Sequence, residues 1–517
     1  MSAILQKLRN VSSNYLAAIV HGLIIILLTP FVVHELGTPL YAVWVIVQTI
    51  GYYLGFLDLG VVDAQVQRHS VLAARNQSAS LGELHGTVLV LFLGAGIVAC
   101  VLATVVSVLP SAALLDIPLD ARDLYAWVLR LIGLAVLLSF VEAAANGIFE
   151  GHQRYDLMNA VGIVVAVLGA IASFAVLYAG YGLLGLAVVR VAESALGAAG
   201  KWLTVRRVFP PSSFPKLGFD RASWRSIRSF SLWNSLNDIV TEGTAQLDKL
   251  LIPILLASAL VTPYSLIVTV AALVFVVAEP ITETLLPLAA SRHGKGDTVS
   301  LGVVLERGSK LVNTVTLPTT IVLLCFGTAI LDLWIGAEYT NADPRVLWFT
   351  VLSFFLSTYF WSALAVLMGS GLVKRIFWTS VLEVAIVLAL ILALTPRLGL
   401  AGLALAGLIG NALIGFAYFV AGACALARLK LAPYLWRTMG RPVIGGLPAL
   451  IVGIWLAGNV DLDGWIGAAA CVAATGLCGV VGVAWTTMSR WERARYAAAV
   501  RRVLAPTPAR GRGWRGG

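Results

Sequence analysis

Long apolar runs recur along the whole 517-residue chain, and they restrict its fold more than any other feature. About fourteen of these runs, bounded by charged residues or by Pro and Gly clusters, reach the roughly 20 residues that a helix needs to cross a bilayer. Hydrophobic residues make up 59% of the chain and charged residues only 12%, whereas soluble domains carry about 25% charged residues. We therefore predict an all-α polytopic membrane protein with about 14 transmembrane helices. This composition excludes a soluble enzyme.

The positive charges are distributed unevenly between the two sides of the predicted helices. The chain has 36 Lys and Arg against 26 Asp and Glu, a formal net charge of +10. With a cytoplasmic N-terminus, thirty of the 36 cations, Lys201 among them, fall in inner segments, and only Arg122, Arg345 and Arg397 fall in outer loops. The positive-inside rule therefore predicts that both termini are cytoplasmic. Because topology accounts for the excess positive charge, no nucleic-acid partner is expected.

The sequence contains none of the motifs that would indicate an enzyme or a cofactor. Its five cysteines lie in apolar stretches, without CxxC pairs or His at metal spacing. There is no Walker motif, no HExxH and no GxSxG. The predicted outer loops do not exceed about 15 residues, which is too short to house a catalytic domain. We therefore expect no cofactor, no metal and no catalytic residue.

A Pro- and Ser-rich segment, FPPSSFP at residues 209–215, divides the chain after the sixth predicted span. A weak echo of residues 7–12 in residues 226–231 suggests a repeat of six spans, an arrangement that recurs in transporters. The predicted organisation has an N-terminal lobe at 1–205, a cytoplasmic linker at 206–228, a C-terminal lobe at 229–427, two extra spans at 428–487 and a basic cytoplasmic tail at 488–517.

The seventh predicted span is far more polar than any other. Its Asp238, Glu242 and Lys249 are spaced i, i+4 and i+11, so they share one helix face, and Gln246 and Asp248 lie beside them. Since a charge at a span centre costs about 2.5–3.5 kcal/mol on insertion scales, this face should line a hydrated cavity. The alternative is a buried ion-pair network that only fastens helices together.

Other charges inside spans have more evenly balanced interpretations. Arg190 and Glu193 at i, i+3 can pair directly, either as a static pair or as a functional one. Arg130 enters the bilayer about 10 Å from the outer end of its span, where its guanidinium could snorkel to the interface. Asp58 lies near the inner end of span two, where capping or pairing would account for it.

Several segments, in order and at matching spacing from span one to span twelve, resemble the polysaccharide-biosynthesis flippases. These are the O-antigen type members of the multidrug/oligosaccharidyl-lipid/polysaccharide exporter superfamily. The segments are LTPF at 28–31, FLDLG at 56–60, GHQRYD at 151–156, LDKLLI at 247–252 and LPLAASR at 286–292.

The resemblance implies two six-helix lobes arranged as a V, two extra C-terminal helices and alternating access to a central cavity. The implied cargo is an oligosaccharide on undecaprenyl pyrophosphate, moved from the cytoplasmic to the periplasmic leaflet of the bacterial inner membrane, with polysaccharide polymerase machinery as a further partner. Relatives that move peptidoglycan precursor carry cations in span one, and this chain has none there, which argues against that cargo.

The resemblance also assigns expected roles to the charged residues. Pyrophosphate needs cations, so the expected substrate-binding residues are Arg130, Arg190, Lys249 and Gln246. Coupling to a proton or sodium gradient would use Asp238, Glu242, Asp248 and Glu193. Asp58 and Arg154 are expected to have a gating or structural role.

Two other functions stay open at this point. A drug or metabolite antiporter of the same superfamily would need a smaller site and fewer cations. A membrane-embedded polysaccharide polymerase or ligase would need a long periplasmic loop, which the predicted spans do not provide. A scaffold without transport activity would leave the buried charges without a purpose.

Overall fold

The computed structural model describes residues 2–75, 77–216, 218–337, 339, 343–460, 462 and 464–487. Within these ranges the regular structure is entirely helical, which confirms the all-α prediction. The predicted basic tail at 488–517 lies outside the described residues.

The described residues of the first half of the chain form nine helices, several of them joined by single 3₁₀ turns. They are α1 (Ser2–Gly55), α2 (Val61–Ala74), α3 (Ser78–Val108), α4 (Ser111–Leu114), α5 (Arg122–Gly151), α6 (Tyr155–Tyr178), α7 (Gly182–Val208), α8 (Arg221–Leu255) and α9 (Val261–Ala271).

The second half continues the pattern with nine further helices. They are α10 (Leu273–Gly294), α11 (Thr298–Ile335), α12 (Pro344–Gly369), α13 (Val373–Leu398), α14 (Leu400–Ile414), α15 (Ala421–Leu426), α16 (Leu431–Leu435), α17 (Arg441–Asn459) and α18 (Trp465–Thr487). Two π-helical turns, Gly415–Val420 and Trp436–Gly440, interrupt the helical runs between α14 and α17.

Twelve of the described helical runs are long and apolar enough to cross a membrane. The first run, Ser12–Ala73, has 62 residues, and at 1.5 Å per residue it extends about 90 Å, three times the bilayer core. Helix α1 within it is interrupted at Gly37, whose φ of 69° and ψ of 166° are not helical. Helix α8 is absent from the twelve because its polar residues lower its hydropathy. The multi-pass fold is confirmed, and the count of fourteen is approximate.

The Cα positions group into two compact units. Unit 1 comprises Met1–Ile267, Trp334–Asp343 and Ser380–Ala406, and unit 2 comprises Val268–Leu333, Pro344–Thr379 and Gly407–Gly517. The whole predicted linker at 206–228 belongs to unit 1. The predicted lobe boundaries stay a prediction.

Helices α3, α5 and α7 form the centre of unit 1, and α5 packs against both of the others. Gly96 and Gly133 allow α3 and α5 to approach closely, because a Cβ atom on Gly133 would lie 2.6 Å from the Ala103 methyl group. Phe92 and Phe140 stack between the same two helices with ring centroids 5.8 Å apart. Small residues therefore set the spacing, as is common in membrane helix pairs.

One face of unit 1 is marked by contacts between three helix connections. The Ser258 amide donates to Asp116 Oδ2 at 3.0 Å, and the Ser258 hydroxyl donates to the Asp116 carbonyl at 2.7 Å. Thr262 Oγ1 donates to the Thr38 carbonyl at 2.8 Å. We call this the Asp116 face; α5 begins beside it and α8 ends beside it.

In unit 2, α17 and α18 form a closely packed hairpin. Gly445 and Gly482 face each other across it, and a Cβ atom on Gly482 would lie 2.2 Å from the Gly445 carbonyl oxygen. The hairpin also contacts α11, where a Cβ atom on Gly479 would meet the Pro318 ring at 2.8 Å.

A buried polar network in unit 2 surrounds the π turn Trp436–Gly440. The Asn313 side-chain amide donates to the Thr438 carbonyl, and the Tyr359 and Thr438 hydroxyls are 2.7 Å apart. Asn313, Tyr359 and Thr438 are all buried. Side chains of α11 and α12 therefore hydrogen-bond to Thr438 in this wider π turn.

Candidate functional site

Helix α8 begins with a well-formed cap and carries the polar residues singled out in the sequence. The Asp220 side chain accepts hydrogen bonds from the backbone amides of Ala222 at 3.3 Å and Ser223 at 2.6 Å. Hydrogen bonds from Ser223 hold the pKa of the Asp220 carboxyl below its usual range. The helix then runs for 35 residues to Leu255.

The acid and the base of the LDKLLI segment have separate partners. The buried Tyr264 hydroxyl, on α9, donates to Asp248 Oδ2. The Lys249 ammonium donates to Gln246 Oε1 at 2.7 Å on the same helix. Gln246 therefore orients the Lys249 ammonium toward the preceding turn of α8. Helix α9 supplies the hydroxyl that donates to Asp248.

The middle of α8 contacts a cluster of aromatic rings at the end of α1. Tyr52 donates to Glu242 Oε2 at 3.3 Å, and Tyr53 donates to the Gly243 carbonyl at 2.6 Å. Phe56 lies against both tyrosine rings, with centroid distances of 5.3 and 6.0 Å. These rings fix the position of α8 beside α1, and a Cβ atom on Gly243 would lie 3.7 Å from the Tyr53 and Phe56 rings, which is ordinary van der Waals contact. The backbone of Asp238 lies within α8, but its side chain is outside the part that the structure describes.

The predicted pair on α7 is present. Arg190 Nη1 lies 3.2 Å from Glu193 Oε2, with half of the Arg190 side chain exposed and 22% of the Glu193 side chain exposed. Glu193 lies directly over Gly169 of α6, where any Cβ atom would clash with its carboxylate. Glu193 is therefore a helix contact as well as the partner of Arg190.

Arg130 has a different environment on α5. Its Nε donates to the Ser107 hydroxyl at 2.9 Å, and its guanidinium carbon lies 5.0 Å from the centroid of the Trp127 ring. Both contacts hold the head group near the Asp116 face; the assignment of this face to the outer side stays a prediction.

Arg130 and Arg190 lie at the same height on two packed parallel helices. Lys201 Nζ on α7 is 2.6 Å from Glu142 Oε1 on α5, which fixes the register between the helices. Arg130 is twelve residues before Glu142 and Arg190 is eleven residues before Lys201. At 1.5 Å per residue, both arginines are therefore about 17 Å from this ion pair, toward the Asp116 face.

Lys249 lies at a comparable depth on α8. It is six residues before the end of this helix at Leu255, which precedes the contact between Ser258 and Asp116. Its Cα is therefore about 9 Å below the Asp116 face, and that of Arg130, eight residues into α5, is about 12 Å below it. The described residues show no direct bond among Arg130, Arg190 and Lys249, but all three occupy one level of unit 1.

The two residues expected to have a gating or structural role make local contacts. Asp58 Oδ1 accepts a hydrogen bond from the Gly60 amide at 3.0 Å, which stabilises the left-handed turn between α1 and α2. Arg154 Nε is 3.0 Å from Asp156 Oδ1, and Arg9 Nη2 is 2.8 Å from Asp156 Oδ2. Asp156 thus joins the start of α6 to the first turns of α1.

The sequence reasoning missed the buried ion pair of Lys201 and Glu142. Lys201 was placed among the inner-segment cations, whereas the structure buries it within α7, with 8% of its side chain exposed. This is a correction to the count of thirty. The sequence did offer a signal for a buried pair, because Lys201 and Glu142 are each isolated charges in stretches of Ala, Gly and aromatic residues. The pair belongs to the same helices as Arg130 and Arg190.

Comparison with known proteins identifies the fold and the family of the chain. No curated protein matches it. The solved structure of the lipid II flippase MurJ in an inward closed conformation is similar over 97% of this chain and 99% of that one, with a TM-score of 0.70 and 13% identity. An inward-facing multidrug resistance MATE transporter of the MOP superfamily matches with a TM-score of 0.60 and 14% identity, over 81% of this chain and 95% of that one.

A eukaryotic MATE transporter, AtDTX14, is also similar, with a TM-score of 0.57 and 15% identity over 84% of this chain and all of that one. At these identities the likenesses show the fold, which is that of a MurJ or MATE transporter. A model of one family, described as polysaccharide biosynthesis protein, matches residues 40–344. The chain belongs to this polysaccharide biosynthesis family, and its multi-pass helical fold is similar to that of MurJ and the MATE transporters.

Proposed function

We propose that this protein is a flippase for an oligosaccharide carried on undecaprenyl pyrophosphate, acting in surface polysaccharide synthesis. It would move the cargo across the bacterial inner membrane by alternating access, with both termini in the cytoplasm. The family assignment supports the pathway, and the lipid II flippase is a structural relative that moves a lipid-linked cargo.

The observation that carries the proposal is the common level of three cations in unit 1. Arg130 and Lys249 lie about 12 and 9 Å below the Asp116 face, and Arg190 lies at the height of Arg130. A pyrophosphate carries several negative charges that must be compensated away from bulk water. Arginine offers paired donors for phosphate oxygens and lysine a compact charge, so this set fits the head group of the proposed cargo.

The acids on α8 and α7 are proposed to couple transport to a proton or sodium gradient. Asp248 has a hydroxyl donor in Tyr264, and Glu242 has one in Tyr52. A carboxylate held by neutral donors and not by a cation can accept a proton or bind a metal cation without first breaking an ion pair. Glu193 pairs with Arg190, so the cargo phosphate would compete with Glu193 for the guanidinium, and a proton or sodium ion would compete with Arg190 for the carboxylate. Asp238 is included among the proposed ion-coupling acids because of its position in the sequence of α8.

Replacement of the three cations tests the proposal. We expect Arg130→Gln, Arg190→Gln and Lys249→Met each to reduce surface polysaccharide at least tenfold in a deletion strain, because loss of one charge-assisted hydrogen bond weakens binding by about 10- to 100-fold. Arg122→Gln is the matched control, since Arg122 lies at the start of the same helix as Arg130 and its Nε donates to the Ile117 carbonyl at 3.3 Å.

Polysaccharide is measured by gel and lectin staining, and membrane insertion by a C-terminal fluorescent tag. Native mass spectrometry then compares binding of undecaprenyl pyrophosphate with that of undecaprenyl monophosphate to the purified variants. Normal polysaccharide in the deletion strain would refute the proposed pathway. Equal binding of both lipids by wild type and variants would refute the role of the three cations.

A second candidate is a cation-coupled drug or metabolite antiporter, because two MATE transporters share the fold over more than 80% of this chain. It predicts that deletion alters sensitivity to cationic drugs while surface polysaccharide stays intact. The three cations argue against it, since an organic cation would be repelled from their level of unit 1.

A further inference from the structure

Three histidines meet in unit 1 at the end of α5 that lies away from the Asp116 face. His69 of α2, His85 of α3 and His152 after α5 contact one another: the rings of His69 and His85 stack at 5.2 Å, and those of His69 and His152 meet edge to face at 4.5 Å. His69 and His85 are fully buried. Gly151 leaves the space, because a Cβ atom there would lie 2.4 Å from the His69 ring.

Hydrogen bonds join these rings to the segment between α7 and α8. His85 Nδ1 is 2.7 Å from the Ser213 carbonyl oxygen, and His152 Nε2 is 2.9 Å from the Ser213 hydroxyl. His69 Nδ1 is 3.1 Å from His85 Nε2. The buried Ser213 is therefore held by two histidines, and the third histidine holds one of those two.

The Ser213 carbonyl determines which ring nitrogens of His85 and His69 carry a proton. A carbonyl can only accept, so His85 Nδ1 carries a proton, and a neutral His85 then accepts at Nε2. His69 must donate from Nδ1, which leaves its Nε2 as a bare acceptor. Among the described residues, His69 Nε2 is buried and has no hydrogen-bond partner.

The segment that these histidines hold lies tightly on the first turns of α3. The Lys216 amide donates to the Gly82 carbonyl at 2.9 Å, and the Asp220 amide donates to Thr87 Oγ1 at 2.9 Å. A Cβ atom on Gly86 would lie 1.8 Å from the Lys216 carbonyl oxygen. We call residues 209–216 the docked segment; it leads directly into the cap of α8.

No described carboxylate makes a bond to these rings that would stabilise an imidazolium. The groups facing them are the other two histidines, the Ser213 hydroxyl and carbonyl, and the Phe209 ring, which stacks on His152 at 4.6 Å. Other charged residues on the same elements include Arg68 next to His69 on α2, Glu150 on α5, and Glu83 and Lys216, which pair with each other at 3.8 Å. Burial lowers the pKa of His152 below its usual range.

We propose that these histidines form a proton-responsive latch that holds the docked segment on α3 while neutral and releases it on protonation from the linker side. A proton on His85 Nε2 would set two N–H groups against each other, because His69 already donates there. A proton on His69 Nε2 would create a buried cation without a partner. Both forms become favourable only when the rings reach water.

The sign of the pH dependence follows from the preference of the docked state for neutral rings. Free histidine has a pKa of about 6.5, so the released state takes up protons below that pH while the docked state resists them. Docking is complete above about pH 7 and weakens as the pH falls, by up to about tenfold in the equilibrium constant per pH unit for each linked proton. This prediction does not depend on which cargo is transported.

Hydrogen exchange on the purified protein in nanodiscs tests the latch. We expect the peptide covering residues 209–216 to exchange at least tenfold faster at pH 5.5 than at pH 7.5, after correction for intrinsic rates, while a peptide within α12 shows no such change. In His69→Asn, whose amide replaces the donor at Nδ1 but cannot titrate, one linked proton is lost, so the increase should be smaller than in the wild type by up to about tenfold. His293→Asn, a substitution of an exposed histidine at the end of α10, should behave like the wild type.

A wild-type increase below twofold would refute the latch, as would an unchanged increase in His69→Asn. If His69→Asn does not fold, His85→Asn gives the same comparison, because its amide can still donate to the Ser213 carbonyl. An equal acceleration in the α12 peptide would also refute it, since global unfolding would then explain the release.

Discussion

At the scale of single residues, the spacing of charges along the sequence predicted local contacts well and long-range partners poorly. The pair of Arg190 and Glu193 could be anticipated because i, i+3 residues are neighbours on any helix. The partner of Lys201 could not, because Glu142 is 59 residues away and only the packing of α5 on α7 brings the two together. The hydroxyl donors of Asp248 and Glu242 come from other helices for the same reason.

The buried ion pair allows a prediction about stability. Lys201→Met leaves the Glu142 carboxylate without its cation inside the helix bundle, so we expect a loss on the order of 3 kcal/mol in the free energy of unfolding. The double variant Lys201→Met/Glu142→Leu removes both charges and should recover most of this loss. The measurement is equilibrium unfolding in mixed micelles by tryptophan fluorescence.

Lys216→Met is the matched control for this experiment. Lys216 pairs with Glu83 at 3.8 Å, but 63% and 49% of the two side chains are exposed. An exposed pair contributes about 0–1 kcal/mol, so the control should hardly change stability. A Lys201→Met protein as stable as this control would show that the buried pair contributes nothing.

At the scale of helices, glycine content indicated close packing but not where it occurs. A Gly-rich run such as that from Gly399 to Gly415 favours close packing through small residues, and in the structure only part of it packs in this way. Gly402 packs on the Leu394 carbonyl and Gly415 on the Phe360 ring, whereas Gly407 has nothing within 4 Å. The backbone approach at Gly445 and Gly482 is closer than that at Gly402, because contact depends on which helix face meets a neighbour.

The α17 and α18 hairpin should therefore be sensitive at its closest point. We expect Gly482→Ala to destabilise the protein by about 1–3 kcal/mol, since the new methyl group would collide with backbone that cannot rotate away. Gly458→Ala, in α17 with nothing within 4 Å, should be neutral or slightly stabilising because Ala favours helix. Thermal unfolding of both variants in the same detergent makes the comparison, and equal melting temperatures would contradict the close packing.

At the scale of the whole molecule, composition was sufficient for the fold class, and the charge pattern predicts the orientation. The long apolar runs predicted a multi-pass helical protein, which the structure confirms. Their exact number was harder to predict, because α1 and α2 form one nearly continuous apolar run and α8 is too polar to be recognised by hydropathy alone. The docking of residues 209–216 on α3 could not be predicted, since Pro and Ser content indicates only a break between helices.

The orientation of unit 1 is the last prediction, and it can be tested at two positions. Leu119, 79% exposed, lies beside the Asp116 face, and Lys216 lies on the docked segment near the other end of α5. In a variant without the five native cysteines, we expect Leu119→Cys to react with a membrane-impermeant maleimide in intact cells and Lys216→Cys to react only after permeabilisation. This result follows from the excess of Lys and Arg on the linker side, which the positive-inside rule retains in the cytoplasm. The reverse labelling pattern would overturn the orientation and place the three cations near the cytoplasmic surface instead.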